Sequence, residues 1–204
     1  DFTYRIFNAD GSEVEQCGNG ARCFARFVRE KGLTHKDVIP VETNTGKIEL
    51  SLVGKDLVRV NMGAPIFEPE QIPLQAEGRQ NLYKFNVDSD IVELACVSMG
   101  NPHGVLQVSD VNTAPVAKLG PKLETHPRFT NKANIGFCQV VDRQTIRLRV
   151  FERGVGETRA CGTGACAAAV VSIAANLVDS KVNVSLPGGS LLIEWQGENQ
   201  PVFM

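Results

Sequence analysis

A short cysteine motif occurs twice in this chain and supplies the side chains with the clearest chemical potential. The sequence Cys-Gly-Asn-Gly-Ala begins at Cys17, and the sequence Cys-Gly-Thr-Gly-Ala begins at Cys161, 144 residues later. A thiol is a weak acid and its thiolate is a base, so two thiols on opposite faces of one carbon can remove a proton from one side and return a proton from the other. The repeated motif therefore predicts a site that can invert a stereocentre.

The repeat extends upstream of the motif. Arg-Ile-Phe at 5–7 ends ten residues before the first cysteine, and Arg-Val-Phe at 149–151 ends ten residues before the second. In this alignment Glu152 occupies the place of Asn8. Equivalent positions in two related halves should both face the cleft between them. This makes Glu152 a candidate site residue rather than half of an ordinary surface ion pair with Arg153, which would be worth about 0–1 kcal/mol.

Each cysteine stands just before a predicted helix. The first helix is predicted over residues 19–31, with Gly32 as its stop. The second is predicted over residues 163–177 and is apolar almost all round, so we expect it to be enclosed on every side. The apolar stripe that predicts the first helix consists of Cys23, Phe24, Phe27 and Val28.

Strand patterns fill much of the remaining chain, and several are joined by short turns that imply antiparallel neighbours. These patterns predict an α+β fold of two pseudo-symmetric modules, each a mostly antiparallel sheet wrapped around a central helix, with both cysteines facing the cleft between the modules. The predicted strands are 37–43, 46–52, 57–61, 91–98, 104–109, 135–141, 145–151, 181–186 and 190–195.

A proline-rich stretch at 63–73 suits neither a helix nor a central strand and predicts the boundary between the modules. The N-terminal module then covers residues 1–62 and the C-terminal module covers residues 63–204. Because the chain begins at Asp1 without a methionine and already in a strand pattern, we expect the first module to be truncated at its start.

The composition favours a small-molecule enzyme over a nucleic-acid or membrane protein. The chain has 204 residues, 43% of them hydrophobic, and a formal net charge of −2. Its basic residues are scattered among acidic ones, which predicts no electrostatic track for nucleic acid. No apolar run is long and unbroken enough to span a bilayer. We expect a soluble, cytoplasmic protein with no nucleic-acid or membrane partner.

Six cysteines would allow a disulfide framework, but a chain of this size does not need one, which favours a reduced intracellular setting. Zinc binding is an alternative, because two cysteine pairs lie close in sequence. Their spacings, with five and four intervening residues, lie beyond or at the edge of the usual zinc pattern. We therefore expect no metal site. The four cysteines outside the repeated position are predicted to be small core residues: Cys23, Cys96, Cys138 and Cys166.

The position before a helix suits acid–base chemistry. The helix dipole and free backbone N–H groups there are expected to lower a thiol pKa from about 8.5 to between roughly 3.5 and 7.5. Two thiolates would repel each other, so one sulfur should stay protonated. If both sulfurs lie within reach of one carbon, they should be roughly 6–7 Å apart. The glycine-rich turns can bind a substrate carboxylate through their N–H groups.

Five sequence blocks occur in a fixed order along nearly the whole chain. The first block is Asn-Ala-Asp-Gly-Ser at 8–12, followed after four residues by Cys-Gly-Asn-Gly-Ala-Arg-Cys at 17–23. The others are Gly-Asn-Pro-His at 100–103, Asn-Lys-Ala-Asn at 131–134, Phe-Glu-Arg-Gly at 151–154, and Glu-Thr-Arg-Ala-Cys-Gly-Thr-Gly at 157–164. By these blocks, in this order, the chain strongly resembles the diaminopimelate epimerase family.

The resemblance implies an amino-acid isomerase that interconverts LL- and meso-diaminopimelate without pyridoxal phosphate or another cofactor, in lysine and peptidoglycan biosynthesis. It implies Cys17 and Cys161 as the acid–base pair, with His103 and Glu152 helping to set the protonation of the thiols. We also expect a homodimer. The resemblance implies the following substrate-binding residues: Asn8, Gly18, Asn19, Asn101, Asn134, Glu152, Arg153, Gly162 and Thr163.

Two other functions remain open at this point. A proline or hydroxyproline racemase could use the same pair of thiols on a cyclic imino acid. A redox-switched binding protein could use the two cysteines without turnover. The charged and amide side chains favour diaminopimelate, because its second zwitterionic centre needs partners that a simple amino acid does not.

Overall fold

The computed structural model describes residues 2–7, 11, 18–43, 46–54 and 57–204. Two predicted site residues, Cys17 and Asn8, lie outside the described residues. The helices are α1 (Gly18–Glu30), α2 (Val116–Glu124) and α3 (Gly162–Ala174). The strands are β1 (Phe2–Thr3), β2 (Val38–Thr43), β3 (Gly46–Val53), β4 (Leu57–Val60), β5 (Tyr83–Val87), β6 (Asp90–Ser98), β7 (Pro102–Gln107), β8 (Asn134–Asp142), β9 (Thr145–Glu152), β10 (Gly156–Thr158), β11 (Lys181–Leu186) and β12 (Gly189–Glu194).

The strands form two sheets, and each sheet is mostly antiparallel. The smaller has the order β1-β2-β3-β4, and the larger has the order β12-β11-β9-β8-β7-β6-β5, with β10 paired to β9. Parallel pairing occurs between β1 and β2, β7 and β8, and β9 and β11. The predicted α+β class, rich in sheet and poor in helix, is confirmed. The predicted boundary between the modules at residues 62 and 63 stays a prediction. One hydrophobic cluster contains buried residues from both sides of this boundary.

The sequence repeat is also a repeat of strand register. In the smaller sheet Val41 of β2 pairs with Ile48 of β3, and in the larger sheet Val184 of β11 pairs with Leu191 of β12. Each of these hairpins follows a helix of 13 residues, α1 or α3. The two copies of the motif therefore lead into the same local fold.

Helix α3 is enclosed by the larger sheet, as its all-round apolar sequence predicts. Its residues from Gly162 to Ser172 are all buried. Many of them are alanines, and side chains this small allow the surrounding strands to approach the helix axis closely. This packing fixes the direction in which the N-terminus of α3 points.

Helix α1 buries a different face from the one predicted. Its buried residues are Ala21, Ala25 and Val28 together with Gly18, whereas Cys23 is exposed and Phe27 is 52% exposed. At about 100° per residue, Ala21, Ala25 and Val28 share one face, and Cys23 points away from it. The prediction that Cys23 is a core residue is wrong. The predictions for Cys96, Cys138 and Cys166 are confirmed, because all three are buried.

Three elements lie where no helix or strand is predicted, namely α2, β5 and β10. Helix α2 contains Pro121 within its sequence and Gly120 beside it, which hides the helical pattern. It packs in a second hydrophobic cluster with residues of β5, including Phe85. Because α2 also contacts β8, β9 and β10, it supports the strands that lead to the predicted site.

The last residues of the chain join the two sheets. Phe203 forms isolated bridges with both Glu194, the last residue of β12, and Asn61, which follows β4. The backbone of Met204 exchanges two hydrogen bonds with Val60, at 2.8 and 3.0 Å. We refer to residues 201–204 as the terminal segment.

Candidate active site

The β9–β10 hairpin leads directly to Cys161 at the N-terminus of α3. Cys161 is the N-cap residue of that helix, with an extended backbone (φ −131°, ψ 111°), and it is only 5% exposed. The hairpin is fixed by Arg149 of β9, whose guanidinium binds Glu157 of β10 at 2.6 and 2.9 Å. The thiol is therefore held at a helix N-terminus by both the preceding hairpin and the packing of α3.

The predicted polar residues converge because strands of the larger sheet begin or end at the same edge. His103 near the start of β7 pairs in register with Asn134 at the start of β8. Strand β9 runs antiparallel to β8, so its last residue, Glu152, lies near Asn134. The backbone N–H of Arg153 donates to Oδ1 of Asn134 at 3.0 Å, and Nδ2 of Asn134 donates to the carbonyl of Pro102 at 3.1 Å.

A chain of hydrogen bonds links His103 to the thiol. Nε2 of His103 lies 2.9 Å from Oδ1 of Asn101, and Nδ2 of Asn101 donates to Oγ1 of Thr163 at 3.4 Å. Oγ1 of Thr163 lies 3.8 Å from Sγ of Cys161. Because Thr163 accepts from the amide of Asn101, its own hydroxyl proton is free to point at the sulfur. The chain can therefore stabilise a thiolate at Cys161.

His103 acts in this chain as a neutral donor. Burial, together with the smaller effect of the positive charge of Arg153, lowers the pKa of His103 to about 3. A neutral ring that binds Oδ1 of Asn101 carries its proton on Nε2. Among its described contacts, His103 reaches Cys161 only through Asn101 and Thr163. Its predicted help in setting thiol protonation is therefore indirect in this geometry.

The pKa of Cys161 shifts in the direction opposite to that expected for a helix N-terminus. Burial raises the pKa of the thiol, and the negative charge of Glu152 and a hydrogen bond to its carboxylate raise it further. The backbone N–H of Gly164 and the hydroxyl of Thr163 lower it and offset only part of the increase. Loss of hydration outweighs the helix dipole here, because the sulfur is almost inaccessible to water. Cys161 is therefore a neutral thiol at neutral pH.

Glu152 and Arg153 interact with other groups rather than with each other. The carboxylate of Glu152 accepts a hydrogen bond from the hydroxyl of Thr158 and faces Cys161. The guanidinium of Arg153 donates to the carbonyl of Asn131 at 3.3 Å. The two neighbouring residues thus place a negative charge beside the thiol and a positive charge beside Asn131.

The N-termini of α1 and α3 face each other. A Cβ atom added to Gly162 would lie 3.7 Å from the backbone nitrogen of Asn19. The side chain of Asn19 accepts a hydrogen bond from Arg22 at 2.6 Å, so its amide oxygen is engaged within its own helix. The backbone nitrogen of Asn19 therefore lies beside the start of α3, and the N–H groups at a helix start have no partner within the helix.

The structure brings together every predicted site residue that it describes. Gly18, Asn19 and Gly162 meet at the helix N-termini, and the remaining residues are joined by the contacts around Cys161: Asn101, His103, Asn134, Glu152, Arg153 and Thr163. Sequence reasoning missed two residues beside them, Glu124 and Met204. Glu124 lies in α2, a helix that the sequence patterns do not predict. Met204 reaches the site through its backbone pairing with Val60, which is far away in the sequence.

A separate cleft of about 990 Å³ lies near the other end of α3. It is lined by residues of β6, β7 and the end of α3, among them Ile91, Val105 and Ala174, and it contains none of the predicted site residues. No helix in the described part of the chain is long and apolar enough to cross a membrane. Within those same residues, no three His, Cys, Asp or Glu side chains are grouped as metal ligands.

Comparison with known proteins gives matches along most of the chain. The family model described as diaminopimelate epimerase matches residues 1–68 and 95–204. The chain is 62% identical over 204 residues to the diaminopimelate epimerase of Ectopseudomonas mendocina (strain ymp), covering all of this chain and 74% of that protein. The diaminopimelate epimerase of Pseudomonas aeruginosa (strain UCBPP-PA14) has the same identity and coverage.

Solved structures share the fold at low sequence identity. A hydroxyproline epimerase from Agrobacterium vitis, with bound trans-4-hydroxy-L-proline, is 15% identical with a TM-score of 0.71, and the match covers 98% of this chain and 65% of that one. A phenazine biosynthesis protein of the PhzF family from Bacillus anthracis is 17% identical with a TM-score of 0.66, covering 98% of this chain and 75% of that one. At these identities the likeness describes the fold alone.

Proposed function

This chain belongs to the diaminopimelate epimerase family, and we propose that it interconverts LL- and meso-diaminopimelate by two-base catalysis at Cys17 and Cys161. It is an amino-acid epimerase, and therefore an isomerase. The proposal assigns the two proton transfers to the repeated cysteines, without pyridoxal phosphate or another cofactor.

The observation that carries the proposal is the meeting of the two helix N-termini. The Cβ position of Gly162 lies 3.7 Å from the backbone nitrogen of Asn19. Cys161 directly precedes Gly162, and Cys17 directly precedes Gly18 in the sequence. Because consecutive Cα atoms are about 3.8 Å apart, the proposal assigns both thiols to this region. This supports a substrate carbon held between the two sulfurs.

The protonation of Cys161 suggests the order of events. Because burial and Glu152 raise the pKa of Cys161, the proposal assigns Cys161 as the acid and Cys17 as the base in the first direction. The sulfur of Cys17 takes the α-proton, and the electron pair of the broken C–H bond spreads into the substrate carboxylate. The S–H proton of Cys161 then passes to the opposite face of the carbon, which leaves Cys161 as the thiolate. In the reverse reaction the two residues exchange roles.

The backbone N–H groups at the starts of α1 and α3 would stabilise the charge that develops on the carboxylate. These groups belong to Gly18, Asn19, Gly162 and Thr163. Each preorganised donor of this kind is worth about 2.7–4 kcal/mol in comparable oxyanion sites. The distal ammonium and carboxylate would be held by Asn8, Asn101, Asn134, Glu152 and Arg153.

We further propose that the reaction serves lysine and peptidoglycan biosynthesis in the cytoplasm, and that the enzyme is a homodimer. The family membership supports the pathway, since meso-diaminopimelate is the product that both routes require. The oligomeric state is checked by light scattering, for which a monomer at enzyme-assay concentrations would contradict the proposal.

The main test is isotope exchange with matched cysteine variants. In D2O the wild-type protein should incorporate deuterium at the α-carbon of diaminopimelate while LL- and meso-forms interconvert. C17A and C161A should both lose epimerisation, whereas C23A, which changes the exposed cysteine of α1, should keep it. Normal turnover in C17A or C161A would exclude the two-thiol mechanism. Turnover of proline or hydroxyproline in place of diaminopimelate would favour the cyclic substrate, and ligand binding without exchange would favour a binding protein.

A further inference from the structure

Met204 is the residue of the terminal segment that contacts both halves of the site. Its backbone N–H donates to the carbonyl of Val60 at 3.0 Å, and its carbonyl accepts the N–H of Val60 at 2.8 Å. Its side chain is only 7% exposed. The backbone of Met204 is thus fixed to the strand β4 while its thioether extends into the protein.

The thioether occupies the space beside both motif glycines. A Cβ atom added to Gly18 would lie 2.6 Å from Cε of Met204. A Cβ atom added to Gly162 would lie 3.4 Å from Sδ and 3.6 Å from Cε of the same side chain. Met62 also lies near Gly18, but its sulfur and methyl group are not among the nearest atoms to Gly162. The thioether of Met204 therefore fills space beside the N-termini of both α1 and α3.

Resting on the function proposed above, we propose that Met204 is a positioning residue that sets the distance between the sulfur atoms of Cys17 and Cys161. Each cysteine directly precedes one of the two glycines that the thioether contacts. Two-base transfer needs both sulfurs within reach of one carbon, and a displacement of about 1 Å can cost about 100-fold in rate. A spacer between the helix starts would prevent that displacement.

The terminal segment holds the spacer firmly in place. The guanidinium of Arg59 in β4 lies 4.0 Å above the ring of Phe203 and binds Glu194 of β12 at 3.0 Å. The backbone N–H of Val202 donates to the carbonyl of Gly63 at 2.9 Å, a contact that does not involve the Val202 side chain. Because these contacts come from both sheets, both sheets fix the position of Met204.

The test compares M204A and M204L with the control V202A. Removing the thioether should let the helix starts relax toward each other, so M204A should form the Cys17–Cys161 disulfide at least about tenfold faster under the thiol oxidant diamide. Its kcat for epimerisation should fall about 10–100-fold with little change in KM. M204L has nearly the same volume and should stay close to wild type in both measurements. V202A removes buried volume from the terminal segment without changing the contacts with Gly18 and Gly162. It should change the rate of disulfide formation and the kcat by no more than about twofold.

Peptide mapping by mass spectrometry measures the disulfide, and this readout needs no catalytic activity. A wild-type protein that fails to turn over diaminopimelate contradicts the proposed function, whereas the rate of disulfide formation still decides the role of Met204. An unchanged disulfide rate in M204A, or an equal increase in V202A, would overturn the inference. If M204A does not fold, M204V shortens the side chain while keeping an apolar group and provides the same comparison.

Discussion

The carboxylate of Glu124 in α2 accepts the backbone N–H of Gly154 at 2.7 Å, immediately after Glu152 and Arg153. Gly154 has a φ of +74°, a conformation that a residue with a side chain adopts only under strain. The contact therefore ties a turn with a demanding backbone to a helix on the outer face of the sheet. It fixes the turn that directly follows Glu152 and Arg153.

Replacing Glu124 should weaken substrate binding through that turn. E124A leaves the N–H of Gly154 without its partner, which costs about 1–3 kcal/mol, so we expect kcat/KM to fall about tenfold, mainly through KM. E124Q keeps an acceptor oxygen and should retain most of the wild-type value. Steady-state kinetics on both variants, with thermal unfolding as the measure of stability, checks this. An E124A enzyme with wild-type KM would show that the turn does not depend on the carboxylate.

Removing the charge of Glu152 should lower the pKa of Cys161. Burial is the largest cause of the raised pKa and remains in E152Q, whereas the charge of the carboxylate is removed. Cys161 should therefore be alkylated faster by iodoacetamide at a fixed pH near 8, as measured by mass spectrometry of its peptide. The control is E157Q, which neutralises another glutamate of the same hairpin that binds Arg149 instead. Equal rates in E152Q and wild type would argue against electrostatic control by Glu152.

Thr163 should affect the same pKa in the opposite direction. T163V removes the hydroxyl that faces Sγ of Cys161, so the thiolate loses a donor and the pKa should rise. A hydrogen bond to an ionised group is worth about 1.5 kcal/mol, which corresponds to a shift of up to about one pH unit. In the reaction direction where Cys161 is the base, the pH at which kcat/KM rises should shift to a higher pH by that amount. T163S keeps the hydroxyl and should keep the wild-type profile.

His103 should make the fold less stable in acid. Burial lowers its pKa to about 3, well below the value of about 6.5 in an unfolded chain. The unfolded state therefore binds a proton that the folded state does not, and stability should fall as pH decreases from about 6.5 toward 3. The slope from this residue is at most about 1.4 kcal/mol per pH unit.

The variant H103Q isolates that contribution, because glutamine cannot take up the proton. Glu194 also has a lowered pKa, through its hydrogen bond to Lys181, and adds its own acid sensitivity to both proteins. Denaturant unfolding at several pH values should give a steeper loss for wild type than for H103Q. If the free energy of unfolding falls equally with decreasing pH in wild type and H103Q, the imidazole of His103 is protonated as readily in the folded state as in the unfolded state.

Gly120 should be irreplaceable despite its place in a helix. A Cβ atom there would lie 2.6–2.9 Å from atoms of the Phe151 side chain, and a packed ring has little room to move. Overpacking costs about 1–3 kcal/mol, which exceeds the gain of at most about 1 kcal/mol from alanine in a helix. G120A should therefore lower the melting temperature. G78A, whose Cβ would meet nothing within 4 Å, should change it little.

Local sequence patterns predict the two site helices well, because a helix is specified by nearby residues. The enclosed position of α3 follows from its apolar composition, and the equivalence of the two motifs follows from their spacing. The buried face of α1 was harder to predict, since the small residues Ala21 and Ala25 pack there while the larger Phe27 remains exposed. Size and hydrophobicity alone do not tell which face meets the neighbouring sheet.

The terminal segment and the pKa of Cys161 were beyond local patterns for a different reason. The pairing of Met204 with Val60 joins residues far apart in sequence, and nothing near either residue encodes it. The helix dipole is predictable from one helix, but desolvation depends on everything that packs around the sulfur. The sequence therefore predicts which residues form the site better than it predicts their protonation.

The shared strand registers have an evolutionary consequence. Phe2 of β1 pairs with Val41 as Ile146 of β9 pairs with Val184, so each half keeps the pairing pattern of a single ancestral unit. Two identical ancestors joined about a two-fold axis would have presented the same cysteine from both sides of the site. Fusion into one polypeptide allowed each copy to diverge, as the difference between Asn8 and Glu152 shows. The two halves can therefore offer different side chains to a substrate whose two ends differ.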